Sequence, residues 1–279
     1  MVPWTKEVHP LIKDGLLFHK EKGEKMKNAL KIFNDYVKKY DLTDKEIMKK
    51  YHHSLRVMEI ARKLATSLNL SEEEIELSTI CGLFHDIARF YQWTKYHTFK
   101  DFSSIDHGDY GVVVLQENHL IEKLTKEKSK QEVILNSVKY HNKIEVPPMD
   151  NKLVLFINII RDADKLDILK TQGIKMDDEK IILKEDLIAS IFKKQVCSNQ
   201  LIQTDTDKIL KHLSWIFDLN FTYSYLYLKK NNIITNKFHL LELYGETKEI
   251  NHLKNFIQEN TYEKEKNLEV LEKRKVIIC

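Results

Sequence analysis

The chain has 279 residues, 42% hydrophobic and 31% charged, enough apolar material to bury a substantial core. Its formal charge of +3 is what remains of 45 basic and 42 acidic side chains. That balance argues against binding duplex nucleic acid by charge alone and suits a small, phosphate-bearing substrate.

Four prolines, at 3, 10, 147 and 148, and seven glycines leave little of the punctuation that strands and hairpins need, so the expectation is an all-α chain. Thr43-Asp44-Lys45-Glu46 and Ser71-Glu72-Glu73-Glu74 read as capping boxes. The first predicts a helix to about Leu68, the second a helix to about Phe90. An aromatic, polar loop is expected between Phe90 and Ser104, a region where loops often carry function. Further helices are expected from near Ser104–Asp106 through Leu115, from Glu132 to His141, and from Asp150 to about Leu169. Beyond Gly173, Ile209, Leu213, Ile216 and Phe217 keep a helical period, and the aromatic run to Leu228 is expected in the core or at a homodimer contact. Residues from Glu246 to Lys275 read as a charged amphipathic helix or pair. Cys81, Cys197 and Cys279 have no spacing that suits a zinc knuckle or a disulfide framework, which points to a reducing, cytoplasmic setting. No apolar run is long enough to span a bilayer, and MVPWTKEVHPLIKDG lacks the apolar stretch of a signal peptide.

Helix phase selects candidate metal ligands from twelve histidines and many carboxylates. His53 shares a stripe with Val57, Ile60, Ala61, Leu64 and Leu68, whereas His52 shares a face with Arg56, Glu59 and Lys63. The apolar segment STICGLFHDIARF carries His85-Asp86, and a carboxylate there should be paired or metal-bound, because burying it alone is costly. Asp164 falls on the stripe of Leu153, Ile157 and Ile160; Asp162 lies roughly 200° away at about 100° per residue. Asp162 and Asp167 are left as supporting groups or salt-bridge partners. His107 and His141 sit in similar settings, each on a partly apolar face. Imidazole and carboxylate together are the donors that divalent metals use in hydrolases.

The ordered set His53, His85-Asp86, His107, His141, Asp164 resembles the HD-domain superfamily of metal-dependent phosphohydrolases, with HSLRV, LFHDI and RDADKLD carrying the match. RFYQWTKYHTFKDFSSIDHGDYG is similar to an uncharacterised bacterial branch with the pattern RFxQ…TFxD…SxDHxxxG. The resemblance covers about residues 25–230, with 231–279 expected as a helical extension packed on the same domain. It implies an all-α core that hydrolyses phosphate esters, commonly of nucleotides. It also implies that His53, His85, Asp86 and Asp164 bind a first divalent ion, and that His107 and His141 bind a second, with Asp86 bridging. Mn, Fe, Co, Ni, Zn and Mg are not distinguished.

Arg89, one turn past His85, is a candidate to fork onto a phosphate, with a salt bridge to Asp101 or Asp106 as the alternative. Lys165, beside Asp164, is a weaker candidate for catalysis. Gln92, His97 and Asp101 are candidates for a lid or substrate wall, alongside Thr98 in the same loop. The expected function is therefore metal-dependent hydrolysis of a small phosphorylated substrate. An HD-fold di-iron oxygenase and a non-catalytic nucleotide sensor are the competing classes.

Overall fold

A computed structural model of the chain describes residues 23–174, 181–244 and 247–278. Among these residues every regular element is helical, and no helix is long and apolar enough to cross a membrane. Cys81 and Cys197 are buried free thiols, and Cys279 lies outside the described residues.

The chain forms two units. The first holds the described residues to Glu59 and Glu76–Leu153, the second Ile60–Ile75 and Val154 onward. In chain order the helices of the first half are α1 (Glu24–Val37), α2 (Lys45–Ser67), α3 (Glu72–Phe84), α4 (Arg89–Tyr96), α5 (His107–Glu117), α6 (Leu120–Leu124) and α7 (Lys128–Tyr140). The second half contributes α8 (Asn151–Thr171), α9 (Glu185–Phe192), α10 (Asp205–Ser214), α11 (Thr222–Lys230), α12 (Ile233–Leu241) and α13 (Lys248–Ile278).

Local chemistry accounts for most of the boundaries. The expected capping box at Ser71 forms: its backbone N–H donates to Glu74 Oε2, and the Glu74 N–H donates to Ser71 Oγ. At α2 the cap is one residue later than expected. Asp44 Oδ1 accepts from the N–H groups of Glu46 and Ile47, while Thr43 bonds back to Asp41. Asp106 caps α5 by accepting from Gly108 and Asp109. The last stretch is a single helix, α13.

Two expectations are corrected. The helix from Ser71 does not run to Phe90; it stops at Phe84, and residues 85–88 form a turn closed by Ile87 N–H to Phe84 O and Arg89 N–H to Asp86 O. The expected loop after Phe90 is helical through Tyr96, ends at His97 in the left-handed region (φ 50°), and continues into a 3-10 turn at Asp101–Ser103. The first misreading has a plain cause: the apolar pattern continues across the break without a glycine or proline to mark it.

The first unit is built around Phe33, whose ring meets those of Tyr51, Phe84 and Phe90 at 5.6–5.9 Å. Two glycines set the spacing of α5 and α7. A Cβ on Gly108 would meet the carbonyl of Lys139 at 2.6 Å and the side chain of Asn142, and one on Gly111 would meet Val138 Cγ1 at 2.6 Å. The second unit has its own core, with Tyr225 and Phe238 fully buried. The Tyr225 hydroxyl donates to Ile216 O at 2.6 Å, and Asp162 accepts from Asn220 N–H (2.9 Å), Asn220 Nδ2 (2.8 Å) and Ser224 Oγ (2.6 Å).

Candidate metal centre

In the first unit the chain brings five of the expected residues into one buried cluster: His53 from α2, His85 and Asp86 from the turn after α3, His107 from the start of α5, and His141 at the end of α7. His53 is 5% exposed and His52 half-buried, as helix phase predicts. His85 and Asp86 do straddle a helix end, but they point inward and are buried.

Asp86 lies at the middle. Its Oδ2 faces Nε2 of His53 (3.5 Å) and of His85 (3.6 Å). Its Oδ1 faces Nε2 of His107 (3.4 Å) and of His141 (3.6 Å). Each carboxylate oxygen thus looks at one pair of imidazoles. Within the pairs the Nε2 atoms are 3.2 Å apart for His53–His85 and 3.0 Å apart for His107–His141.

The outer ring nitrogens decide what those inner nitrogens are. His85 Nδ1 is 2.8 Å from Gly82 O and His141 Nδ1 is 2.7 Å from Val138 O. A carbonyl can only accept, so each Nδ1 carries the proton and donates it. His107 Nδ1 donates in the same way to Asp101 Oδ2 at 2.6 Å. Burial and the nearby Arg89 charge push His107 down to about 4, so at neutral pH its ring is uncharged. In a neutral ring with Nδ1–H, Nε2 is a bare lone pair. His107 therefore aims a lone pair at the Nε2 of His141 across 3.0 Å, with a carboxylate oxygen beside them. A cation seated there would be shared by both ring nitrogens and the carboxylate oxygen. The donor set, imidazole nitrogen and carboxylate oxygen, suits the later divalent transition metals.

A family model described as HD domain matches residues 51–169, a stretch that contains all five residues and Asp164. Residues 51–169 are an HD domain. Proteins of the HD domain family are generally metal-dependent phosphohydrolases. No curated protein and no solved structure matches the chain.

Around these residues of the HD domain lies a supporting layer. Asp101 is half-buried and holds the His107 proton, while Asn142 Nδ2 reaches Asp101 Oδ2 at 3.3 Å. Burial works against ionising Asp101, but the bond from His107 and the Arg89 charge keep its carboxyl far below the usual range. Arg89 takes the alternative that its position allowed: Nη1 donates to Asp101 Oδ1 (2.9 Å), Phe99 O (2.8 Å) and Gln92 Oε1 (2.6 Å), and Nε sits 3.4 Å from Asp86 Oδ1. Asp106, the other suggested partner, pairs with Lys143 at 2.7 Å.

Gln92 is fully buried, and its amide is engaged with Arg89, Asp101, Ser104 and the carbonyl of Ile105. Gln92, expected as a substrate contact, thus has its amide committed to internal partners. His97 is exposed and turns its ring toward Trp93. Trp93 stacks on Phe99 at 5.1 Å and donates its indole N–H to Asp44 Oδ2 at 2.9 Å.

Asp164 lies half-buried on α8, in the second unit, as does Lys165, whose ammonium is 2.8 Å from Asp218 Oδ2.

One residue of the centre escaped the sequence reading. Lys50 Nζ is 2.8 Å from Asp86 Oδ2, with its side chain 16% exposed. It stands three residues before His53, one helical turn away on the same face, and that spacing was the available signal. Burial alone would raise the Asp86 carboxyl; the charges facing it, Lys50 foremost, hold it well below the usual carboxylate range instead.

Proposed function

We propose that this protein is a metal-dependent phosphohydrolase that cleaves a phosphomonoester or phosphodiester bond in a small phosphorylated substrate, a nucleotide by the family's habit. The facing Nε2 atoms of His107 and His141, with one Asp86 oxygen toward each pair of imidazoles, carry this reading.

In it, His53, His85, Asp86 and Asp164 would hold one divalent ion, and Asp86, His107 and His141 would hold a second. Asp164 enters by its place in the ordered pattern of the family. Bound there, divalent metals supply a water of lowered pKa and neutralise charge that builds on phosphoryl oxygens.

The chain's own groups do the rest. Gly82, Val138 and Asp101 fix three imidazoles with the proton on Nδ1, so none of these three has to reorient to present Nε2. Arg89 contacts Asp101 and Asp86 together, which keeps the Asp86 carboxylate facing both pairs of imidazoles. Lys165, spent on Asp218, is given no part in the chemistry.

The test is hydrolysis of a chromogenic phosphodiester and a nucleotide panel by Mn²⁺-loaded protein, beside metal analysis. Turnover that vanishes together with bound Mn²⁺ in Asp86→Ala is the expected result. Metal uptake with no phosphate ester turned over, and oxygen consumed by the iron-loaded protein instead, would overturn the hydrolase reading.

A further inference from the structure

We propose that Lys50, not Arg89, anchors the phosphate of the substrate, and that it does so by exchanging Asp86 for that phosphate when metal binds. The inference rests on the metal centre described above and adds to it the residue that recognises the substrate's charge.

Two permanent cations face Asp86, and they are held differently. Arg89 is clamped: its Nη1 is shared among Gln92, the Phe99 carbonyl and Asp101, all within 2.9 Å. A planar guanidinium tied at that many points cannot turn toward a ligand without breaking the brace of His107. Lys50 has one hydrogen-bonded partner among the described residues, Asp86 Oδ2. Its ammonium otherwise lies 5.2 Å from the centroid of the Phe99 ring, on a flexible four-carbon stem.

The oxygen Lys50 occupies is the one that faces His53 and His85. Ammonium and first metal ion therefore compete for one carboxylate oxygen. Once Oδ2 belongs to the ion, the Lys50 ammonium loses that partner and has a divalent cation for a neighbour. An ammonium offers three donors and no acceptor, so only an anion relieves that position. The phosphoryl oxygens of the substrate are the anion that the reaction delivers there.

This makes two predictions of opposite sign for one substitution. Lys50→Met keeps the apolar stem against Phe99 and removes the competitor. Metal-free Lys50→Met should bind Mn²⁺ at least as tightly as the wild type. The Mn²⁺-loaded variant should bind inorganic phosphate about tenfold more weakly or worse, the scale of one lost charge-assisted hydrogen bond. Lys50→Arg should restore phosphate binding. Both affinities are read by calorimetric titration of the full chain, with circular dichroism to establish folding; Lys50→Gln serves in the same way if the methionine variant does not fold.

Phosphate affinity within about twofold of wild type in the loaded variant would overturn the proposal. So would a parallel fall in Mn²⁺ affinity, which would make Lys50 a structural support of the centre. A wild-type protein that takes up no Mn²⁺ would overturn the metal centre itself, and the role of Lys50 with it.

Discussion

Asp86 in the first unit and Asp162 in the second are both buried carboxylates, and their surroundings differ in kind. Asp86 meets Lys50 at 2.8 Å, Arg89 at 3.4 Å and four imidazole nitrogens, and its carboxyl is held well below the usual range against the pull of burial. Asp162 meets an amide N–H, a side-chain amide and a hydroxyl, and there burial wins and raises the carboxyl. Neutral donors that match a carboxylate one for one make a joint between two chain segments. Cations and lone pairs converging on a carboxylate make a centre with chemistry left to do. A buried acid therefore identifies a working site only through the character of its neighbours.

The largest effect that would test this contrast is on Asp162. Asp162→Ala leaves three donors without their acceptor and should cost on the order of 3 kcal/mol in urea denaturation. Its Mn²⁺ stoichiometry should match wild type, in contrast to Asp86→Ala. If a folded Asp162→Ala protein lost its metal, the distinction between joint and centre would be wrong.

A smaller effect lies with His212, also in the second unit. It is buried, its Nδ1 has no hydrogen-bond partner among the described residues, and burial with the nearby Lys237 charge pushes it down to about 3. Its folded value lies below its unfolded one, so as pH falls from 6.5 toward 3 the unfolded chain takes the proton first and stability is lost. At pH 5 the loss should be about 2 kcal/mol relative to neutral pH, and His212→Leu should flatten that slope. An unchanged slope in the variant would show that the second unit does not bury this ring uncharged.

The smallest effect concerns the first unit's helix spacing. Gly108→Ala gains helix propensity of about 1 kcal/mol but overpacks α5 against the Lys139 carbonyl at about 1–3 kcal/mol, a net loss near 1 kcal/mol. Thermal melting should show it, and the Mn²⁺ titration should weaken at the His107–His141 side. A more stable variant would mean that α5 and α7 have slack the centre does not need.

Much of the fold and of the cluster could be read before any coordinates. An inward histidine is legible because α2 keeps one apolar stripe for more than five turns, and His53 sits on it. The helix end at Phe84 was not legible, because Ile87, Ala88 and Phe90 continue the apolar phase and are all fully buried, so packing rather than local sequence decides the break. Arg89 was legible as a cation near the site and Asp101 as one of its possible partners, but not the choice between them: whether the guanidinium meets a ligand or Asp101 depends on where an eight-residue helix and a 3-10 turn fold back. Lys50 was missed because a lysine in a run of KKYHH reads as solvent-facing until a buried carboxylate is found opposite it.

The stack of Trp93 on Phe99 has a further use. The same Phe99 ring lies 5.2 Å from the Lys50 ammonium and 5.6 Å from the Arg89 guanidinium carbon. An indole's emission is sensitive to the electric field around it, so departure of Lys50 from Asp86 on filling the centre should change Trp93 emission in a Mn²⁺ titration, a change that Trp93→Phe should lose.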